Sequence, residues 1–198
     1  MPAERPPTTR QAALRERAAT VVDLARRGEI EELARRFARM PLREILAVRA
    51  LVAGGADYTA LVDAFLAGLA HPNARMRYDC AHALDHFADV RCAPALRRLL
   101  SDPAPRVRRM ALHVLSCEVC KLTPLPVEDD LTPLIVERAM ADPSVNVRRH
   151  AALALAGCGM DPRAGAALES LLARESDAAL LRHARWALRR REEHSSGE

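Results

Sequence analysis

Aromatic side chains and lysine are nearly absent from this chain. Of its 198 residues only 3% are aromatic, with one tryptophan, two tyrosines and three phenylalanines. So few rings exclude a core built on aromatic stacking and leave little for a base-stacking nucleic-acid platform. All but one of the thirty basic residues are arginine, the exception being Lys121. That bias is of the kind GC-rich codons produce. No apolar run is long enough for a signal-peptide core or a membrane span, which predicts a cytoplasmic protein with no membrane association. Five cysteines, an odd number, fit reduced thiols in that compartment. Three catalytic signatures are also missing: a glycine-rich phosphate loop, a G-x-S-x-G elbow and an H-E-x-x-H helix.

What is present is a recurring phrase. Asp102-Pro103 is followed by Val107-Arg108-Arg109-Met110-Ala111, and Asp142-Pro143 by Val147-Arg148-Arg149-His150-Ala151. A weaker copy runs from His71-Pro72 through Met76-Arg77 to Ala81, and Pro41 stands ahead of Ile45-Leu46. The prolines at 41, 72, 103 and 143 lie 31, 31 and 40 positions apart, the period of a stacked helical array. Asp before Pro predicts an N-cap acceptor and a first helical residue that needs no N–H partner. Apolar residues then recur every fourth position: Val107, Ala111 and Leu115; Val147, Ala151 and Leu155; Met76, Cys80 and Leu84. Small residues in mid-stripe predict close helix approach. The aligned arginines Arg77, Arg108 and Arg148 predict a structural ladder paired with Asp102 and Asp142 of adjacent turns.

The same reading divides the chain into helices in pairs: 10–27 with 29–39, 42–53 with 58–70, 74–88 with 91–100, 105–116 with 131–141 and 144–156 with 163–174. A last helix spans 178–191, with Leu180, Ala184 and Leu188 on its stripe. Residues 1–9 and 192–198 are expected to be disordered tails around one domain over 10–191. The stretch 117–130 is inserted in one repeat, and insertions in arrays become loops on one edge.

The two D-P-x-x-x-V-R-R-x-A segments and the apolar second helices after them resemble the HEAT-repeat family, in particular the short repeats of phycobilisome-lyase-like proteins. The resemblance covers roughly residues 41–190. Together with the periodicity it implies an all-α, right-handed α-solenoid of about five HEAT-like helix pairs plus a C-terminal helix. Such repeats serve scaffolds, bilin lyases, DNA glycosylases and a metal-dependent hydroxylase. The His-Glu dipeptides expected of the hydroxylase do not occur here, and no bilin-lyase catalytic residue is identifiable. The glycosylases use aromatic walls beside an acidic residue, whereas this chain offers Trp186 and two tyrosines. The function implied is a non-enzymatic protein-interaction module without a resident cofactor.

Two other classes of chemistry have candidate residues. Cys117-x-x-Cys120 followed by Lys121 can be read as half a zinc site, as a dithiol switch, or as two small residues closing a helix. Lysine can depress a neighbouring thiol's pKa as a compact charge. Counted from each proline, His82 aligns with His113 and His86 with Cys117, so His82, His86, His113, Cys117 and Cys120 form a candidate zinc set if the helices stack as neighbours. Arg75, Arg106, Arg109 and Arg149, near helix starts, are candidate contacts for phosphate or an acidic partner. With 26 acidic residues and a net charge of only +4, nucleic-acid binding is expected to be weak and non-specific at most.

Overall fold

A computed structural model describes residues 9–53, 55–117, 125 and 130–195. Among them there are only helices and turns, and the residues divide into two compact units split between Phe87 and Ala88. The periodicity places every one of the eleven helices to within a few residues. Of the expected tails, residues 1–8 and 196–198 lie outside the described residues, and the last helix continues to Ser195 rather than stopping at Arg191.

The first unit holds α1 (Thr9–Arg26), α2 (Ile30–Phe37), α3 (Leu42–Val52), α4 (Ala56–Gly68) and α5 (Ala74–Phe87). Gly28 ends α1 with a φ of 67°. Its N–H donates to the Ala25 carbonyl at 3.0 Å and that of Glu29 to Leu24 at 3.0 Å, the pair of bonds that turns a chain sharply out of a helix. α1 packs on α2, α3 and α4, while α2 packs on both α4 and α5. The reach of α2 to α5 has a simple cause. All three phenylalanines of the chain, Phe37, Phe65 and Phe87, are buried here, and Phe37 meets the other two edge-on at centroid distances of 5.4 and 5.6 Å. Gly68 permits the close approach of α4 to α2 and α5: a Cβ there would lie 2.2 Å from Cys80 Sγ and 3.0 Å from Ile30 Cγ2.

The second unit holds a 3-10 turn at Val90–Cys92, then α6 (Ala93–Leu99), α7 (Pro105–Ser116), α8 (Thr132–Ala141), α9 (Val145–Ala154), α10 (Pro162–Arg174) and α11 (Ala178–Ser195). α7, α9 and α11 lie side by side in one row; α8 packs on α10 in a second row, and α6, α8 and α10 pack on α7, α9 and α11 respectively. The stripe residues Val107, Ala111, Val147, Ala151, Leu155, Leu180 and Ala184 are fully buried. On α11 the third stripe position is taken by Ala187, also fully buried, in place of the expected Leu188, which is only half-buried. Ala111→Leu and Ala151→Leu are each expected to cost about 1–3 kcal/mol, because neither site has room for three more carbons. Equal urea midpoints for both variants and wild type would show that the row is packed more loosely.

The turns depart from the expected capping. α7 and α9 begin after Ala104 and Ser144, two residues beyond the aspartates, and neither of those caps makes a side-chain bond. Asp102 instead accepts from the N–H of Ala104 at 2.8 Å and Asp142 from that of Ser144 at 2.9 Å. Each aspartate thus closes a small side-chain turn that Pro follows without loss, since the residue between needs no N–H. Asn73 holds the N–H of Arg75 in the same way at 2.8 Å. The predicted Asp-cap and Pro-first arrangement occurs elsewhere, at Asp161-Pro162, where Asp161 caps α10 through the N–H of Arg163.

Candidate interaction surface

The aligned arginines are committed to the fold. Arg108 places Nε and Nη2 on the two carboxylate oxygens of Asp142, both at 2.7 Å, and its Nη1 on the Asp102 carbonyl at 2.8 Å. Arg148 repeats this one row on, with Nη1 on the Asp142 carbonyl at 3.1 Å and its other edge on Glu175 at 2.9 and 3.2 Å. In the first unit Arg77 donates Nη1 to the carbonyls of His71 and Pro72, each at 2.9 Å. A guanidinium fork bridging its own turn and a carboxylate of the next explains why arginine, and not lysine, stands at these positions. Within the second unit the expected pairing is present for Arg108 with Asp142, whereas Arg148 takes Glu175, which precedes α11, rather than a turn aspartate.

Of the four arginines expected to face a partner, two are already held. Arg75 lies on the buried Asp79 at 2.8 Å. Arg149 grips Asp177, whose carboxyl is driven well below its usual range by that hydrogen bond. Arg106 and Arg109 on α7 are exposed and carry no hydrogen bond or ion pair among the described residues.

The candidate thiols and histidines are divided between the two units. His82 and His86 belong to the first unit, where His82 stacks on Tyr78 and the His86 ring stands 6.3 Å from Phe37. His113 and Cys117 belong to the second, where the His113 ring meets His150 at 5.3 Å. Cys117 ends α7, its N–H donating to the His113 carbonyl at 2.8 Å. Cys120 and Lys121 lie outside the described residues. Cys80, enclosed between α4 and α5, has its thiol pKa pushed up to about 12 by burial, so it is not a nucleophile near neutral pH.

Three features were not visible in the sequence. A cleft of about 440 Å³ in the first unit is lined by Glu31, Arg35, Arg39, His71, Arg75 and Asp79, among others. Its charges are largely paired internally, through His71 with Glu31 and Arg75 with Asp79. Arg49 is buried on α3 with Nε and Nη2 unbonded, and burial lowers its pKa. An unpaired buried cation destabilises a fold, so Arg49→Met is expected to raise stability by about 1–2 kcal/mol, read as a higher urea midpoint; a lower midpoint would show that the cation is compensated. The third feature is an outward strip on α11 bearing Arg182, Arg185, Trp186 and Arg189, all exposed. No residue-type count reveals such a strip, because it depends on which face of α11 is buried.

Paired helices in rows, tied by an arginine–carboxylate ladder, define a helical-repeat protein. Residues 62–127 match the family model of HEAT repeats. No curated protein matches the sequence. Repeats of this family point to an interaction or scaffold type of module. Among the described residues no helix is long and apolar enough to cross a membrane.

Proposed function

We propose that the protein is a non-enzymatic interaction module that binds an acidic protein partner through arginines of its second unit. One observation carries this reading. In a unit whose aligned arginines are held by carboxylates and carbonyls, Arg106 and Arg109 stand exposed on one helix and unbonded among the described residues. Such cations are free to steer an oppositely charged surface. The small size of the chain's aromatic set supports a protein partner over a nucleic acid, because stacking would have to rest on isolated rings.

Cross-linking of the full chain in cell extract, followed by mass spectrometry, tests the reading. A discrete protein partner is expected, and Arg106→Glu/Arg109→Glu is expected to lose it while keeping wild-type helix content and melting midpoint. Undiminished capture by the double variant would remove these two arginines from the surface. Absence of any protein partner would sink the reading as a whole.

A further inference from the structure

α11 lays Leu180, Ala184, Ala187 and Arg191 inward, and in the second unit it packs on α9 and α10. The opposite strip carries Arg182, Arg185, Trp186 and Arg189, at helical spacings of three, four and seven. None of the three arginines makes a hydrogen bond or ion pair among the described residues. Trp186, the only tryptophan of the chain, is 43% exposed in their midst. A large ring held half in water between three unpaired cations has no folding role among the described residues.

The repeat alignment says what such a strip is built to meet. Arg149-His150-Ala151 on α9 corresponds to Arg182-His183-Ala184 on α11. Arg149 reaches forward to Asp177, at the start of the helix in the next place of the row, and Arg148 reaches Glu175 beside it. Arg182 thus repeats the donor half of a row-to-row contact with no acceptor among the described residues. We propose that this strip docks an acidic helical segment of a partner protein, its carboxylates on the three arginines and an apolar side chain over Trp186. The proposal rests on the interaction reading above and names the chemistry of the partner.

Pitch and charge both favour a helix as the occupant. Arg182 and Arg189 are seven residues apart, about 10 Å along the axis. Carboxylates spaced by three and seven on a second helix repeat that distance. A second copy of α11 laid face to face would set arginine against arginine, with like charges in contact. A single-stranded nucleic acid would find one stacking ring on the strip, where strand-tracking sites use successive rings. A lipid surface would find one apolar side chain, since the apolar face of α11 is already buried, and interfacial helices need a whole apolar face.

Because Trp186 is the sole tryptophan, its emission reports occupancy of the strip in the full chain. The probe is a peptide of about 18 residues, long enough to hold a helix, with glutamates three and seven apart around a leucine in an alanine background. Saturable binding with a blue shift of the emission is expected. Arg182→Glu/Arg185→Glu/Arg189→Glu is expected to weaken it at least tenfold, and Trp186→Ala, followed by anisotropy of a labelled peptide, by a similar factor. These residues are exposed, so both variants should melt as wild type does. Arg98→Glu, at an exposed arginine of α6, should leave the peptide affinity within about twofold, since α6 is a separate helix. Equal binding of the peptide by the triple variant, equal binding of a lysine version of the peptide, or no binding would overturn the proposal. So would a response to an oligothymidylate or to phosphatidylserine vesicles in place of the peptide. A cross-linked partner that survives the α11 variants would leave the interaction reading standing and remove only this docking site.

Discussion

Asp142→Ala is expected to cost about 3–5 kcal/mol, the range for removing one partner of a buried ion pair. Arg108 and Asp142 are 6% and 2% exposed, and the two bonds between them are both 2.7 Å. Asp142 also holds the N–H of Ser144 and so shapes the turn into α9. Removing its carboxylate takes from a buried guanidinium the partner of its two shortest bonds and leaves it only the weaker attraction of Asp102. Replacing both partners by apolar groups, as in Arg108→Met/Asp142→Leu, is expected to cost less than Asp142→Ala alone, because the buried guanidinium goes with its carboxylate and the only other ion contact of Asp142 lost is the longer one to Arg138. Glu175→Ala, at the more accessible rung with Arg148, should cost less again. Urea midpoints for the three variants give the order; an Asp142→Ala midpoint equal to that of Glu175→Ala would show that burial does not set the strength of the ladder.

The same pair makes stability depend on pH. Burial acts to raise the pKa of Asp142, but hydrogen bonds from Arg108 and Ser144 outweigh it and hold the carboxyl below its ordinary value. A carboxylate depressed in the folded state stabilises fully above its unfolded pKa, about 3.9. That contribution is lost as pH falls through the lower folded value. Wild type should therefore lose more stability than Asp142→Ala on acidification below about pH 4.

Phe37→Ala is expected to cost about 3–5 kcal/mol. Its ring is fully buried and is the shared member of both phenylalanine contacts in the first unit. Truncation removes the transfer energy of the ring, two edge-on contacts and the wedge that keeps α2 on α4 and α5 at once. Phe37→Leu should recover much of the loss by filling part of the cavity. A midpoint shift for Phe37→Ala no larger than that for Phe37→Leu would show that the site collapses around the missing ring.

Much of this protein could be read from local pattern, because its information is periodic. A four-residue apolar stripe, a proline-marked turn and a glycine such as Gly28 each constrain the backbone within a few residues. Helix existence and limits therefore followed from the chain alone. So did Arg108 with Asp142, since the period itself puts an arginine of one turn beside the aspartate of the next. The HEAT-repeat reading rested on the same phrases and is met by the family match over 62–127.

Tertiary structure decided which of many similar arginines are free. Arg106, Arg109, Arg148 and Arg149 sit in the same short phrases, yet Arg148 and Arg149 find Glu175 and Asp177, 27 and 28 residues away, while Arg106 and Arg109 find no partner among the described residues. A side chain's charge is local, but its counter-charge is supplied by whichever helix packs beside it. The join of α2 to α5 through Phe37 and the outward strip of α11 have the same origin. Each depends on which face of a helix is buried and on what arrives from far along the chain, and neither quantity is written in the spacing of neighbouring residues.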